Sequence, residues 1–226
     1  VIFRLLLLIF WLVCPQICRA GEMPGAVVID PGHGGYDPGA VRQGVMEKYV
    51  NLAIAQEVVK ILQENNVRVL LTREGDYNLA VPGLHGRQAK RYDIEKRIEL
   101  AETFGADAVI SIHVNVGRRL CTGAETFYHR QSPRSKLLAR YIQKEISGLP
   151  QMNKRVVKTG NYYILRRTPM PCVIVETGYL NNPQERKKLL DKSYRQMLAR
   201  AIARGVINYL HEKDKATNRA AEGEAR

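Results

Sequence analysis

The sequence predicts a single α/β domain built on one open, twisted, mostly parallel sheet with helices on both faces. Three observations carry this expectation. Short apolar runs rich in β-branched residues alternate with longer segments whose apolar residues recur at helical spacing. The strand–helix–strand lengths suit parallel pairing through a right-handed crossover. And 226 residues, 45% hydrophobic and 25% charged, fill one well-buried core but not two.

The elements follow in order. Val1 to Val13 is apolar apart from Arg4. A membrane helix takes about 20 such residues, so residues 1–20 read as a signal peptide, with Ala20 and Gly21 at the cut, or as an uncut N-terminal anchor. Ala26–Asp30 is a buried strand that runs into the breaker-rich loop Pro31-Gly32-His33-Gly34-Gly35. Glu47–Glu64 is a helix with Val50, Ile54, Val58, Ile61 and Leu62 on one face, and Val67–Thr72 is the next strand. Asp76–Tyr92, with Pro82, Gly83 and Gly86, reads as a loop before a helix over Asp93–Phe104. Ala108–Ile112 and Gly123–Tyr128 are strands, and Ser132-Pro133 is a good helix start. Tyr162–Leu165 and Val173–Thr177 read as the last strands, with helices from Pro183 and Ser193 closing the domain. The domain is therefore expected over 21–211. Residues 212–226 carry four acids and four bases with little to bury and read as a disordered tail.

Composition excludes some classes of function. Of four cysteines two lie in the leader, which leaves Cys121 and Cys172 and no CxxC pair. That argues against both a disulfide scaffold and a cysteine zinc site. Net charge is +13, and from Arg130 to Arg167 there are ten Lys or Arg against the single acid Glu145. Such a surface attracts an anionic wall polymer or membrane. No nucleic-acid motif accompanies it, so nucleic acid is not expected as a partner. His85, His129 and His211 have no motif around them and read as surface residues.

In open α/β sheets, sites form at the carboxyl edge of the strands. Asp30 and His33 follow the first strand, His113 and Asn115 follow the third, and Glu176 ends the strand Val173-Ile174-Val175. Glu47 opens the first long helix. Each is commonplace alone: a lone His is usually structural, and Glu47 suits a helix N-terminus in any case. Together His33, Glu47, His113 and Glu176 bring two imidazoles and two carboxylates to one edge. Two His and one carboxylate with an open fourth position form a catalytic zinc shell, and the remaining carboxylate is then a candidate general base.

These residues also sit in motifs. Asp30-Pro31-Gly32-His33-Gly34-Gly35, Gly39, Glu47 with Asn51, Thr72-Arg73, Arg97, Ser111-Ile112-His113-Val114-Asn115 and Val175-Glu176-Thr177-Gly178-Tyr179-Leu180-Asn181-Asn182 come in an order and spacing that resemble the zinc-dependent type-3 N-acetylmuramoyl-L-alanine amidases. The resemblance spans about Ala26 to Leu210. It implies Zn2+ on His33, Glu47 and His113, with Glu176 as the catalytic carboxylate. The implied reaction is hydrolysis of the amide between the lactyl group of N-acetylmuramic acid and L-alanine in peptidoglycan. The long Asp76–Tyr92 stretch is similar to the germination-specific, CwlD-like branch. That branch implies action on spore cortex, muramic δ-lactam formation and an exported location, in the wall, at a membrane or in the forespore intermembrane space. The short link from His113 to the next strand leaves no room for a long occluding helix.

Around this core the sequence gives Asp30 two readings, a carboxylate that orients a ligand imidazole or a strand-end turn residue. Arg73 and Arg97 pair with acids at the sheet edge or meet substrate carboxylates. Gly34 and Gly35 let the loop pass close to substrate or simply serve the turn. The rival functions are another zinc wall hydrolase (peptidase or deacetylase), a wall-binding module on a degenerate fold, and an amidase that depends on an activating protein partner.

Overall fold

The computed structural model describes residues 25–118 and 120–224, so the expected leader lies outside them. Six strands form the main sheet. β1 (Ala26–Pro31) lies between β4 (Arg68–Leu71) and β5 (Ala108–Asn115), and β8 (Cys172–Tyr179) follows β5, all four parallel. β6 (Glu125–Tyr128) joins β8 antiparallel, and β7 (Lys158–Thr159) closes that edge, giving the order β4-β1-β5-β8-β6-β7. A small hairpin, β2 (Val41–Arg42) with β3 (Val45–Met46), lies outside this sheet.

Side-chain alternation along the strands builds two cores. Val27 and Ile29 of β1, Ile110 and Ile112 of β5, and Val173 and Val175 of β8 face one side. There they meet α1 (Glu47–Glu64), α3 (Pro133–Ser147) and α6 (Lys192–Glu224), with α5 (Pro183–Leu190) beside them. Val28, Val109 and Ile174 face the other side, against α2 (Gly86–Phe104) and α4 (Tyr163–Arg167). By the same period of two, Asp30, Ser111, His113 and Glu176 belong to the α2/α4 side.

Local chemistry explains the helix starts. The Ser132 hydroxyl accepts from the Ser135 amide at 3.2 Å, with Pro133 in the first turn of α3. The Asn182 side chain caps α5 in the same way, accepting from the amides of Gln184 and Glu185 at 2.9 and 3.2 Å.

Three expectations need correction. The loop expected to run to Tyr92 ends at His85, and α2 starts at Gly86. Asp93 is buried there, its carboxylate accepting from the Leu79 amide at 2.8 Å, so the helix begins well before its apolar stripe does. Tyr162–Leu165, expected as a strand, is instead the entry to the short helix α4, with Ile164 and Leu165 buried beneath it. A four-residue apolar run fits either state, and its packing against the α2 side decided it. Finally, α6 continues to Glu224, past the His211 boundary expected for the domain. Alanine and straight-chain charged residues there are good helix formers, and the helix already begun extends at little cost.

Candidate metal centre

Three elements bring the cluster together. His33 follows β1, Glu47 is the first residue of α1, and His113 lies near the carboxyl end of β5. One ligand atom from each lies within 4.8 Å of the other two. Glu47 Oε1 is the hub, 3.2 Å from His33 Nε2 and 3.0 Å from His113 Nδ1. The two imidazole rings meet edge to face, with centroids 4.9 Å apart. Asn51, one turn along α1, donates to Glu47 Oε1 at 3.3 Å and to the Gly32 carbonyl at 3.1 Å.

The electrostatics suit a cation. Burial works to raise the Glu47 carboxyl, but its bonds to His113 and His33 outweigh that and hold it well below the usual carboxylate range. Burial opposes charge on His33, yet hydrogen bonds to Asp37 and Glu47 push its pKa up to about 9. Asp37 Oδ2 lies 2.9 Å from His33 Nδ1, which leaves Nε2 for the cluster. Asp37 is itself held well below its usual range: burial works against its charge, and the bond to His33 prevails.

Glu176 is level with His113 on the adjacent strand and only 8% exposed. Burial, reinforced by the charges of Glu47 and Glu125, outweighs the attraction of the imidazoles and pushes its carboxyl up to about 7. Its Oε2 is buried without a hydrogen-bond partner. A carboxylate oxygen left in that state is costly unless something docks against it. The two-nitrogen, one-oxygen donor set with this free carboxylate beside it fits a three-ligand zinc with an open position.

The remaining candidate residues differ in what they touch. Asp30 contacts no imidazole. It accepts from Thr72 and Ser111 at 2.6 Å each and from Arg97 at 2.7 Å. The carboxylate that does contact a ligand imidazole is Asp37, a residue that the motifs do not single out. Its spacing four residues past His33, in the turn Asp37-Pro38-Gly39, was the available signal. Burial works to raise Asp30, but Arg97, aided by Ser111 and Thr72, holds its pKa down at about 2.

Arg73 and Arg97 are buried and grip the ligand loop by its carbonyls. Arg73 donates to Pro31 at 2.9 Å and to Gly32 at 3.0 Å. Arg97 donates to Pro31 at 2.9 Å and to His33 at 2.8 Å. This grip matters because His33 sits at φ 64°, an uncommon conformation for a side chain larger than glycine. Asn115 turns its side-chain oxygen onto the amides of Val116 and Gly117, at 2.7 and 3.2 Å. It shapes the loop after β5 and contributes to the wall of the cleft.

Gly34 and Gly35 do not face the cleft. A Cβ on Gly34 would meet the Tyr77 carbonyl at 2.2 Å, and one on Gly35 would meet Asn78 at 2.4 Å, so both pack against the 75–78 segment. The glycines the site requires are Gly39, at φ 65° with a Cβ that would lie 2.6 Å from Glu47 Oε2 and 2.7 Å from the His33 ring, and Gly32, where a Cβ would lie 2.2 Å from two atoms of the His113 ring. Gly32→Ala is expected to push that ring aside and weaken metal affinity by about 10- to 100-fold, as loss of other supports around a metal ligand does. Competition of the variant with a chromophoric zinc chelator measures this, and thermal unfolding shows whether the fold is retained.

Comparison with known proteins follows this geometry. A model of the N-acetylmuramoyl-L-alanine amidase family matches residues 27–208. The germination-specific N-acetylmuramoyl-L-alanine amidase of Bacillus subtilis is 34% identical over 190 residues, covering 83% of this chain and 80% of its own. The CwlD amidase of Clostridioides difficile, solved in complex with the GerS lipoprotein, superposes with a TM-score of 0.79 at 34% identity, covering 83% of this chain and 98% of that one. The amidase AmiC2 of Nostoc punctiforme superposes with a TM-score of 0.73 at 33% identity over 83% of this chain and 98% of its own.

Proposed function

The chain belongs to the N-acetylmuramoyl-L-alanine amidase family, and from that premise we propose that it hydrolyses the amide joining the lactyl group of N-acetylmuramic acid to L-alanine in peptidoglycan, with zinc held by His33, Glu47 and His113. The observation that carries this reading is the convergence of three ligand atoms within 4.8 Å beside the unpartnered Oε2 of Glu176. Zinc in that position supplies Lewis acidity toward water and the scissile carbonyl. The chain supplies the proton handling. The Glu176 carboxylate takes a proton from the attacking water as the water's oxygen bonds to the lactyl carbon. It returns that proton to the alanine nitrogen as the C–N bond breaks, leaving a carboxylate on the glycan and a free amino terminus on the stem. Asp37 holds the His33 ring by Nδ1. The arginine grip on the carbonyls of residues 31–33 fixes the loop that carries it.

The finer reading is a role in spore cortex maturation and germination. It is supported by similarity to the germination-specific Bacillus enzyme. We further propose an extracytoplasmic location, where the substrate is, with residues 1–20 as the export or anchoring signal. Among the described residues no helix is long and apolar enough to cross a membrane. A protein partner is part of the proposal, because the similar Clostridioides enzyme was solved with a lipoprotein bound. The basic region contributes to attraction by anionic wall or membrane mainly through α3, where Arg134, Lys136, Arg140 and Lys144 are exposed. Arg155 and Lys158 instead neutralise the buried Glu125.

The test is digestion of purified cortex and vegetative peptidoglycan by zinc-loaded protein, chelated protein and His113→Ala, with products identified by mass spectrometry. Intact glycan and stems beginning with free alanine are expected from the first alone, and His113→Ala is expected to release its metal. Cuts within the stem, or release of acetate from the glycan, would replace the amidase by a peptidase or a deacetylase.

A further inference from the structure

The cluster lines a cleft of about 680 Å³ that also carries acids and bases. Apart from Glu176, its acids are already engaged: Asp30 and Asp93 with Arg97, Asp37 with His33, and Glu47 with both imidazoles. The bases come from two helices. Arg87, Lys90 and Arg91 line the cleft from the first turns of α2, and Arg166 lines it from α4. Lys90 is bridged to Asp37 and Arg91 to Glu95. Among the described residues, Arg87 and Arg166 are exposed and make no salt bridge. Arg87 also lies in the first turn of a 19-residue helix that has no side-chain cap and no acid in that turn. The macrodipole there favours an anion and disfavours the cation present. Two guanidinium groups without a carboxylate partner among the described residues therefore line the same cleft as the metal cluster, Arg166 lying over the Tyr163 ring at 5.8 Å. Tyr162 and Tyr163 at the start of α4 and Val116 after β5 add apolar surface to the lining.

We propose that the rim formed by Arg87 and Arg166 is a carboxylate subsite that selects stem peptides bearing a free carboxylate close to the scissile amide, in preference to stems in which that group is a carboxamide. This rests on the amidase reading and adds a substrate preference to it. A guanidinium fork matches a carboxylate in shape and charge and gains much less from a neutral amide. Neither arginine is one of the three metal-cluster residues or the proton-handling carboxylate. Their contribution therefore belongs to substrate binding, and it falls on KM while kcat stays near its starting value.

The test uses two soluble muramoyl peptides that differ only at the second stem residue, glutamate with a free α-carboxylate in one and its carboxamide in the other. Wild-type, zinc-loaded protein is expected to favour the acid. Arg87→Gln with Arg166→Gln is expected to lower kcat/KM on the acid by about tenfold, a charge-assisted contact discounted for its exposure, and to leave the amide within about twofold. An acid-to-amide ratio that is the same in wild type and double variant overturns the subsite. Calorimetric binding of the released acidic and amidated stem peptides reads it without turnover. Preference for the acidic peptide in wild type, lost in the double variant, sustains the subsite even if the cleaved bond proves to be another one. Equal binding of both peptides by wild type removes it even if the amidase activity stands.

Discussion

Glu176→Gln is expected to keep its metal and lose hydrolysis by about two to four orders of magnitude, the usual worth of general acid–base assistance. The substitution keeps the size of the side chain and removes only the ability to accept a proton. The site should tolerate it, because Oε2 makes no hydrogen bond that an amide would break. It also removes a costly buried charge beside Glu47 and Glu125, so thermal stability should hold or rise. Metal content by mass spectrometry and turnover on purified wall separate the two properties. Near-normal turnover in a fully metallated variant would take Glu176 out of the chemistry, and loss of the metal would make it a support of the cluster instead.

That expectation was available from the sequence, because the parity of buried strands is legible in it. His113 and Glu176 end apolar runs whose alternate residues must point to opposite faces, and the parallel pairing of β5 with β8 sets them level. The doubly wound sheet and the α1, α3 and α6 faces were legible for the same reason: long apolar stripes admit one periodicity. What the sequence concealed depends on contacts between distant segments. Asp37 lies in a turn that looks like any other, and its value comes from meeting Nδ1 of His33. Asp30 stands next to the motif, yet its partners are Thr72, Arg97 and Ser111, on three other elements. For Arg73 and Arg97 the sequence leaves open acids at the sheet edge or substrate carboxylates; Arg97 does pair with Asp30 and Asp93, and the loop carbonyls both arginines hold are visible only in the fold. The Tyr162–Leu165 run was too short for periodicity to decide between strand and helix.

Arg97→Leu is expected to cost about 3–5 kcal/mol of stability at neutral pH, the usual penalty for stranding one partner of a buried ion pair. Arg97 and Asp30 are each only 3% exposed at their side chains and 2.7 Å apart, and Asp93 shares the guanidinium at 3.0 Å. Removing the cation leaves the buried Asp30 carboxylate with the hydroxyls of Thr72 and Ser111 but no countercharge, and gives up the bonds to the carbonyls of Pro31 and His33. The pH dependence identifies which of these losses dominates. In the wild type the Asp30 pKa is about 2 against an ordinary 3.8. Its contribution is therefore complete above that ordinary value and is lost as pH falls through about 2. Without Arg97, burial is unopposed by a countercharge and the folded pKa rises above 3.8. The folded variant then binds a proton before its unfolded chain does, and its stability gains as pH falls from neutral toward about 4. The gap between wild type and variant in urea unfolding should accordingly narrow over that range. Adding Asp30→Asn to Arg97→Leu should recover part of the loss at neutral pH and abolish the narrowing. The released loop carbonyls do not titrate, so a gap constant from pH 7 to about 4 would place the whole effect of Arg97 on its grip of the His33 loop and none on the charge of Asp30.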